Sequence, residues 1–143
     1  MYTLYGDKER AEQMSNYKDK GSILVVDDTE ETRETLAALL GMKGFNVRCA
    51  ANAHQALSEI KQEKPVLVLL DERMPGTNGL TTLKKIKEMD SSIKVVMLSA
   101  MEDVDLRKEA KKSGACDYIN KLCDFEKLET VILSILARNI IGP

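Results

Sequence analysis

Asp71 closes a run of five apolar residues, Val66 to Leu70, and Met74-Pro75-Gly76 breaks the chain soon after it. Asp27 and Asp28 close a second apolar run, Ile23 to Val26; Ser99 closes a third, Val95 to Leu98; and Lys121 follows the short stretch Asp117 to Asn120. Three carboxylates brought together repel one another: two unit charges about 4 Å apart at an effective dielectric of about 20 cost about 4 kcal/mol. Such a cluster takes up protons or holds a cation. No thiol or imidazole accompanies these acids, and hard oxygens at an open rim suit Mg2+ (or Mn2+) that keeps some of its waters. Beside the metal, the Lys121 ammonium and the Ser99 hydroxyl are suited to phosphoryl oxygens, and the Asp71 carboxylate to nucleophilic attack giving an acyl phosphate. Each residue also has a plainer reading, as a strand-closing polar group, a helix cap or a strand-end hydroxyl.

The elements that must position these groups are legible from periodicity. Five short apolar stretches rich in β-formers read as strands buried on both faces: Ile23–Val26, Phe45–Ala50, Val66–Leu70, Lys94–Leu98 and Asp117–Asn120. Helical patterns follow each of them. The first starts at Thr29-Glu30-Glu31, turns Leu36, Leu39 and Leu40 inward, and stops near Gly41 to Gly44. The second is capped by Asn52 and buries Ala53, Ala56, Leu57 and Ile60; the third runs from Gly79 to Met89 with Leu80, Leu83 and Ile86 inward. The fourth spans Glu102 to Lys112 and closes at Ser113-Gly114; the fifth spans Phe125 to Ile140. Alternation of this kind predicts an α/β fold: a flavodoxin-like, doubly wound, five-stranded parallel sheet of order 2-1-3-4-5 with five helices. In that order the first and third strands are neighbours, so Asp27, Asp28 and Asp71 meet at one rim, with Ser99 and Lys121 on the same edge.

Composition bounds the rest. A chain of 143 residues, 43% hydrophobic and 31% charged, has room for one domain and little else. A net charge of −2 supplies no basic field for nucleic acid and no polybasic patch for a membrane. No apolar run approaches the roughly 20 residues of a spanning helix, and the N-terminus does not read as a signal peptide, so a cytoplasmic location is expected. Cys49, Cys116 and Cys123 form no C-x-x-C pair and are expected to be buried thiols, not a metal site or a bridge. His54, alone near a helix start, reads as an ordinary surface residue. Residues 1–20 read as an extension, either disordered or a marginal helix over Asp7–Tyr17 with Ala11, Met14 and Tyr17 on one side. Residues 21–140 read as the domain and 141–143 as a tail. A single-domain protein and a piece of a longer one both fit.

Taken together and in order, these motifs resemble the receiver domain of two-component response regulators. V-V-D-D at 25–28 is similar to that family's acidic pair, and D-E-R-M-P-G-T-N-G at 71–79 to its phosphoacceptor loop. L-S-A at 98–100 matches its hydroxyl position, and G-A-C-D-Y-I-N-K at 114–121 its aromatic and lysine positions. The resemblance implies that Asp71 accepts a phosphoryl group from a phosphohistidine of a sensor histidine kinase or phosphotransfer protein, or from a small phosphodonor. It implies Mg2+ bound by the side chains of Asp28 and Asp71, by Asp27 directly or through water, and by the backbone carbonyl of Arg73. Lys121 and Ser99 then hold phosphoryl oxygens. On phosphorylation Ser99 moves toward the phosphate and Tyr118 turns inward, repacking the face of the fourth helix, fifth strand and fifth helix. Such a domain is a switch that catalyses its own phosphorylation and dephosphorylation, and is not a turnover enzyme.

Several residues depart from that family's pattern. Leu122 follows Lys121 where a cis proline is usual, and a non-prolyl cis bond costs about 2.5–4 kcal/mol, so a trans bond and a shifted loop are expected. Glu72 replaces an apolar residue and adds a charge beside the acid cluster. Arg73 and Met101 occupy the positions that the resemblance assigns to phosphoaspartate lifetime, and their bulk predicts slow self-dephosphorylation. In the last helix Leu128, Val131, Ile132 and Ile135 make an inward stripe that Leu133, Leu136, Ile140 and Ile141 widen. The surplus points to a homodimer or output contact through this face, or to cover by the N-terminal extension. Rival readings are a pseudo-receiver that signals without phosphate, an Asp-nucleophile phosphohydrolase and a flavin-binding module. The hydrolase lacks a second acid two residues after the nucleophile, where Arg73 stands. The flavin module would need a phosphate-cradling loop where Asp27-Asp28-Thr29-Glu30 is acidic.

Overall fold

A computed structural model of the protein describes residues 21–141, with side chains described as far as residue 137. The elements, in chain order, are β1 (Ser22–Val26), α1 (Glu30–Met42), β2 (Asn46–Ala50), α2 (Ala53–Gln62), β3 (Leu67–Asp71), α3 (Gly79–Met89), β4 (Lys94–Ser99), α4 (Val104–Lys112), β5 (Asp117–Asn120) and α5 (Phe125–Ile141). The five strands form one parallel sheet of order β2-β1-β3-β4-β5, as the alternation predicts. The break after Asp71 is more regular than a plain turn. Arg73–Met74 and Thr77–Asn78 pair as a short antiparallel ribbon, turned at Gly76 with φ +82°.

Every residue of β1 and β3 is buried, which is what two-sided cover requires of central parallel strands. Their side chains alternate between two cores. On one face Ile23, Val25, Leu67, Leu69, Val96, Leu98 and Ile119 pack with Leu40 of α1 and with Leu128, Ile132 and Ile135 of α5. On the other, Leu24, Val26, Val68, Leu70, Val95, Met97 and Tyr118 pack with Ala56, Ile60, Leu83, Ile86 and Ala110 of α2 to α4. Four helices start on a side chain that satisfies a free backbone N–H. Asn52 accepts from Gln55 N at 2.8 Å, Asn78 from Thr81 N at 2.8 Å, Asp103 from Leu106 N at 3.1 Å and Asp124 from Lys127 N at 2.9 Å.

The structure corrects several expectations. Cys49 and Cys116 are exposed and Cys123 is half-buried, all three as free thiols. Cys49 lies on the edge strand β2, with its sulfur 4.0 Å from Arg33 O of α1, and Cys116 precedes β5 in a loop. β2 starts one residue after Phe45, and α4 starts two residues after Glu102 because Asp103 caps it. In α5, Leu136 is buried in the core and Leu133 packs against it, so the core takes up these two residues of the apolar surplus. Among the described residues, the large hydrophobics that remain exposed are Met42, Met89, Met101, Val104 and Leu122, none of them on α5. The marginal helix proposed over Asp7–Tyr17, residues 142–143 of the tail, and the side chains of Ile140 and Ile141 lie outside the described residues, while α5 runs through Ile141. No described helix is long and apolar enough to cross a membrane.

Candidate functional site

Register decides which side chains meet at the carboxyl edge. Val26 lies opposite Leu70 in the β1–β3 pair, so Asp27 and Asp71 follow side by side. Asp71 lies opposite Leu98, and Ser99 opposite Asn120, which sets Ser99 and Lys121 one step beyond. Backbone pairing continues past the strand ends: Asp27 N donates to Ala50 O at 3.1 Å, Glu72 N to Leu98 O at 2.9 Å and Lys121 N to Ser99 O at 2.6 Å. The alternation of faces therefore continues too. Asp27, Asp71 and Lys121 share the parity of the α1/α5 face; Glu72, Ser99 and Tyr118 share that of the α2–α4 face.

The first group is a charge cluster. Asp27, Asp28 and Asp71 each present a carboxylate oxygen within 4.8 Å of the others, with Asp27 and Asp71 buried and Asp28 exposed. Lys121 Nζ forms ion pairs with Asp27 Oδ2 at 2.6 Å and Asp71 Oδ2 at 3.4 Å. The Lys121–Leu122 bond is not cis, as expected without proline, and the lysine still reaches both acids. Asp27 is held by its own loop: Oδ1 accepts from Thr29 N at 2.8 Å, and its carbonyl accepts from Arg33 Nη1 at 2.8 Å. Asp71 Oδ1 accepts from Arg73 N at 3.3 Å. Burial, and then the Asp27 charge, raise the Asp71 pKa, against the pull of Lys121. Burial opposes the Lys121 charge, but Asp27 and Asp71 outweigh it and raise the lysine pKa.

This donor set fits a hard divalent cation. The three acids supply oxygen ligands alone, and one ammonium faces three carboxylates. Asp27 Oδ2, buried and lacking a hydrogen bond of good geometry, has only its ion pair with Lys121. A second cation at this point relieves that deficit.

The second group was only partly foreseen. Glu72 does not join the acid cluster as expected. It is buried on the other face, where its Oε2 accepts from Tyr118 Oη at 2.9 Å and from Ser99 Oγ. Ser99 Oγ also lies 2.6 Å from Met101 O and accepts from Met101 N at 3.2 Å. Tyr118 is inward, only 2% exposed, and the Arg107 guanidinium stands over its ring at 5.4 Å. The sequence carried half of the signal for Glu72, its alternation with Asp71 across the sheet; its phase with 99 and 118 depends on register between distant strands.

Residues 23–133 match the family described as the response regulator receiver domain. The chain belongs to that family. The receiver domain is 44% identical over 115 residues to the transcriptional regulatory protein ZraR of Klebsiella oxytoca, a match covering 80% of this chain and 26% of that protein. It therefore spans about a quarter of the length of such relatives. It is 34% identical to sporulation initiation phosphotransferase F of Bacillus subtilis, covering 80% of this chain and 92% of that one. Among solved structures, the receiver domain of NtrX from Brucella abortus superposes with a TM-score of 0.77 at 34% identity, over 81% of this chain and 98% of that one. A two-component response regulator from Clostridium difficile gives a TM-score of 0.79 at 26% identity, over 82% and 97%. Receiver domains are signalling switches, not enzymes of the usual kind.

Proposed function

We propose that residues 21–140 form a phosphorylation-dependent switch, with Asp71 as its phosphoacceptor. The observation that carries this reading is the cluster of Asp27, Asp28 and Asp71 within 4.8 Å at the edge of a receiver fold, with Lys121 bridging Asp27 and Asp71. Asp27, Asp28, Asp71 and the Arg73 carbonyl would hold Mg2+ or Mn2+, which when bound neutralises negative charge on the incoming phosphoryl oxygens. An Asp71 oxygen attacks phosphorus, the bond from phosphorus to the imidazole nitrogen of the donor breaks, and its electron pair leaves with the imidazole. Lys121 exchanges part of its pairing with Asp27 and Asp71 for a phosphoryl oxygen, and Ser99 donates to another. Reversal to free aspartate requires water to attack the same phosphorus.

The partner is a sensor histidine kinase or phosphotransfer protein, and the altered surface is α4-β5-α5, which also serves an output contact or a homodimer. Direct nucleic-acid or membrane contact is not part of this reading, and a cytoplasmic site suits a kinase partner. Incubation with a small phosphodonor and Mg2+ adds the mass of one phosphoryl group to the wild type and none to Asp71→Asn. No gain in the wild type favours a pseudo-receiver, and steady turnover of a phosphate ester favours a hydrolase.

Arg73 and Met101, both exposed at the site mouth, are proposed to slow loss of the phosphoryl group by obstructing water. Arg73→Ala with Met101→Ala shortens the lifetime of the phosphoprotein several-fold. An unchanged decay rate removes both residues from that role.

A further inference from the structure

Glu72 has no part in the phosphotransfer scheme, yet it touches both residues that the scheme asks to move. Its buried carboxylate takes the Ser99 and Tyr118 hydroxyls on one oxygen. A carboxylate only accepts, so the proton between Ser99 and Glu72 belongs to the serine. Ser99 has one such proton, and the Met101 carbonyl at 2.6 Å already competes for it. A phosphoryl oxygen on Asp71 needs that same proton.

We propose that Glu72 is a positioning residue that competes with the phosphoryl group for the Ser99 hydroxyl and holds Tyr118 inward. This rests on the reading of Asp71 as phosphoacceptor. In the unmodified protein Glu72 binds both hydroxyls, and phosphorylation draws Ser99 away. Tyr118 is then the remaining side-chain donor to a buried acceptor, and its inward position is reinforced. The ring presses that state onto Arg107 of α4, so occupancy of the site reaches the α4 surface through Glu72. The carboxylate thus makes phosphorylation harder to complete and its effect on Tyr118 firmer.

The test uses Glu72→Met, which keeps length and removes the acceptor, and Glu72→Gln, which keeps one neutral acceptor. Beryllium fluoride with Mg2+ serves as the phosphoryl analogue. Glu72→Met is expected to bind it about tenfold more tightly than the wild type, with Glu72→Gln between them. In a Ser99→Ala background, Glu72→Met shifts affinity by less than about twofold, because the competition runs through that hydroxyl. Fluorotyrosine NMR without metal or analogue gives a second readout: the Tyr118 resonance moves toward its solvent-exposed position in Glu72→Met. Equal analogue affinity in wild type and Glu72→Met overturns the competition, as does an equal gain in the Ser99→Ala background. An unmoved Tyr118 resonance overturns the hold on the ring. A wild type that binds no analogue and gains no phosphoryl mass overturns the phosphoacceptor reading and the competition with it, while the fluorine signal still decides the hold on Tyr118.

Discussion

Asp71 carries an ionisation that its surroundings oppose. Burial and the neighbouring Asp27 raise its pKa above the ordinary 3.8, so between 3.8 and the raised value the folded protein holds a proton that the unfolded chain has lost. Folding stability then falls as pH rises through that window and is level above it. In metal-free buffer at neutral pH, Asp71→Asn is expected to be more stable than the wild type by about 1 kcal/mol. The gap closes as pH drops below 3.8, where both side chains are neutral; urea titrations across pH measure it. Lys121 runs the other way: its contribution is complete below 10.5 and is lost as pH rises through its raised folded value. An Asp71→Asn protein less stable than the wild type at neutral pH would show the ammonium outweighing burial and repulsion.

The loop between β3 and α3 depends on the size of one side chain. A Cβ on Gly79 would sit 2.6 Å from Asp71 O and 2.8 Å from Glu72 Cα, both backbone atoms with little room to yield. Gly79 N donates to Glu72 O at 2.7 Å, so the helix start is drawn against the end of β3. Gly79→Ala is expected to cost about 1–3 kcal/mol, read as a lower denaturation midpoint, because the overlap must be relieved by moving backbone. In the sequence Gly79 reads as a turn signal; the close approach that makes it necessary depends on a neighbouring strand that no local pattern reveals. The strands, the Asn52 cap and the gathering of Asp27, Asp28, Asp71 and Lys121 at one edge were legible because each rests on periodicity, on a residue closing an apolar run or on the alternation of strands and helices. The ribbon at 73–78 and the inward turn of Glu72 were not, since both depend on register between segments distant in the chain. Exposure of Cys49 was missed although the predicted order already puts the second strand at the edge, because that strand reads as buried on both faces like the central ones.

At the level of the whole molecule, a divalent ion that binds only the folded protein raises its stability by mass action. At about 100 times the dissociation constant the gain is about 2.7 kcal/mol, several degrees in Tm. Thermal unfolding with and without Mg2+ is expected to show this shift in the wild type and to lose most of it in Asp28→Ala. Asp28 is exposed, so the variant's metal-free stability stays within about 0.5 kcal/mol of the wild type. An unchanged Mg2+ shift in Asp28→Ala removes that residue from the ligand set. The two polar trios at the carboxyl edge lie on opposite sides of one sheet, and a single peptide link, Asp71 to Glu72, joins them in the chain. On the proposed scheme, input chemistry and output gain would be adjustable at adjacent positions. A designer who wants a more or less sensitive relay can edit the second and leave the reactive acid itself alone.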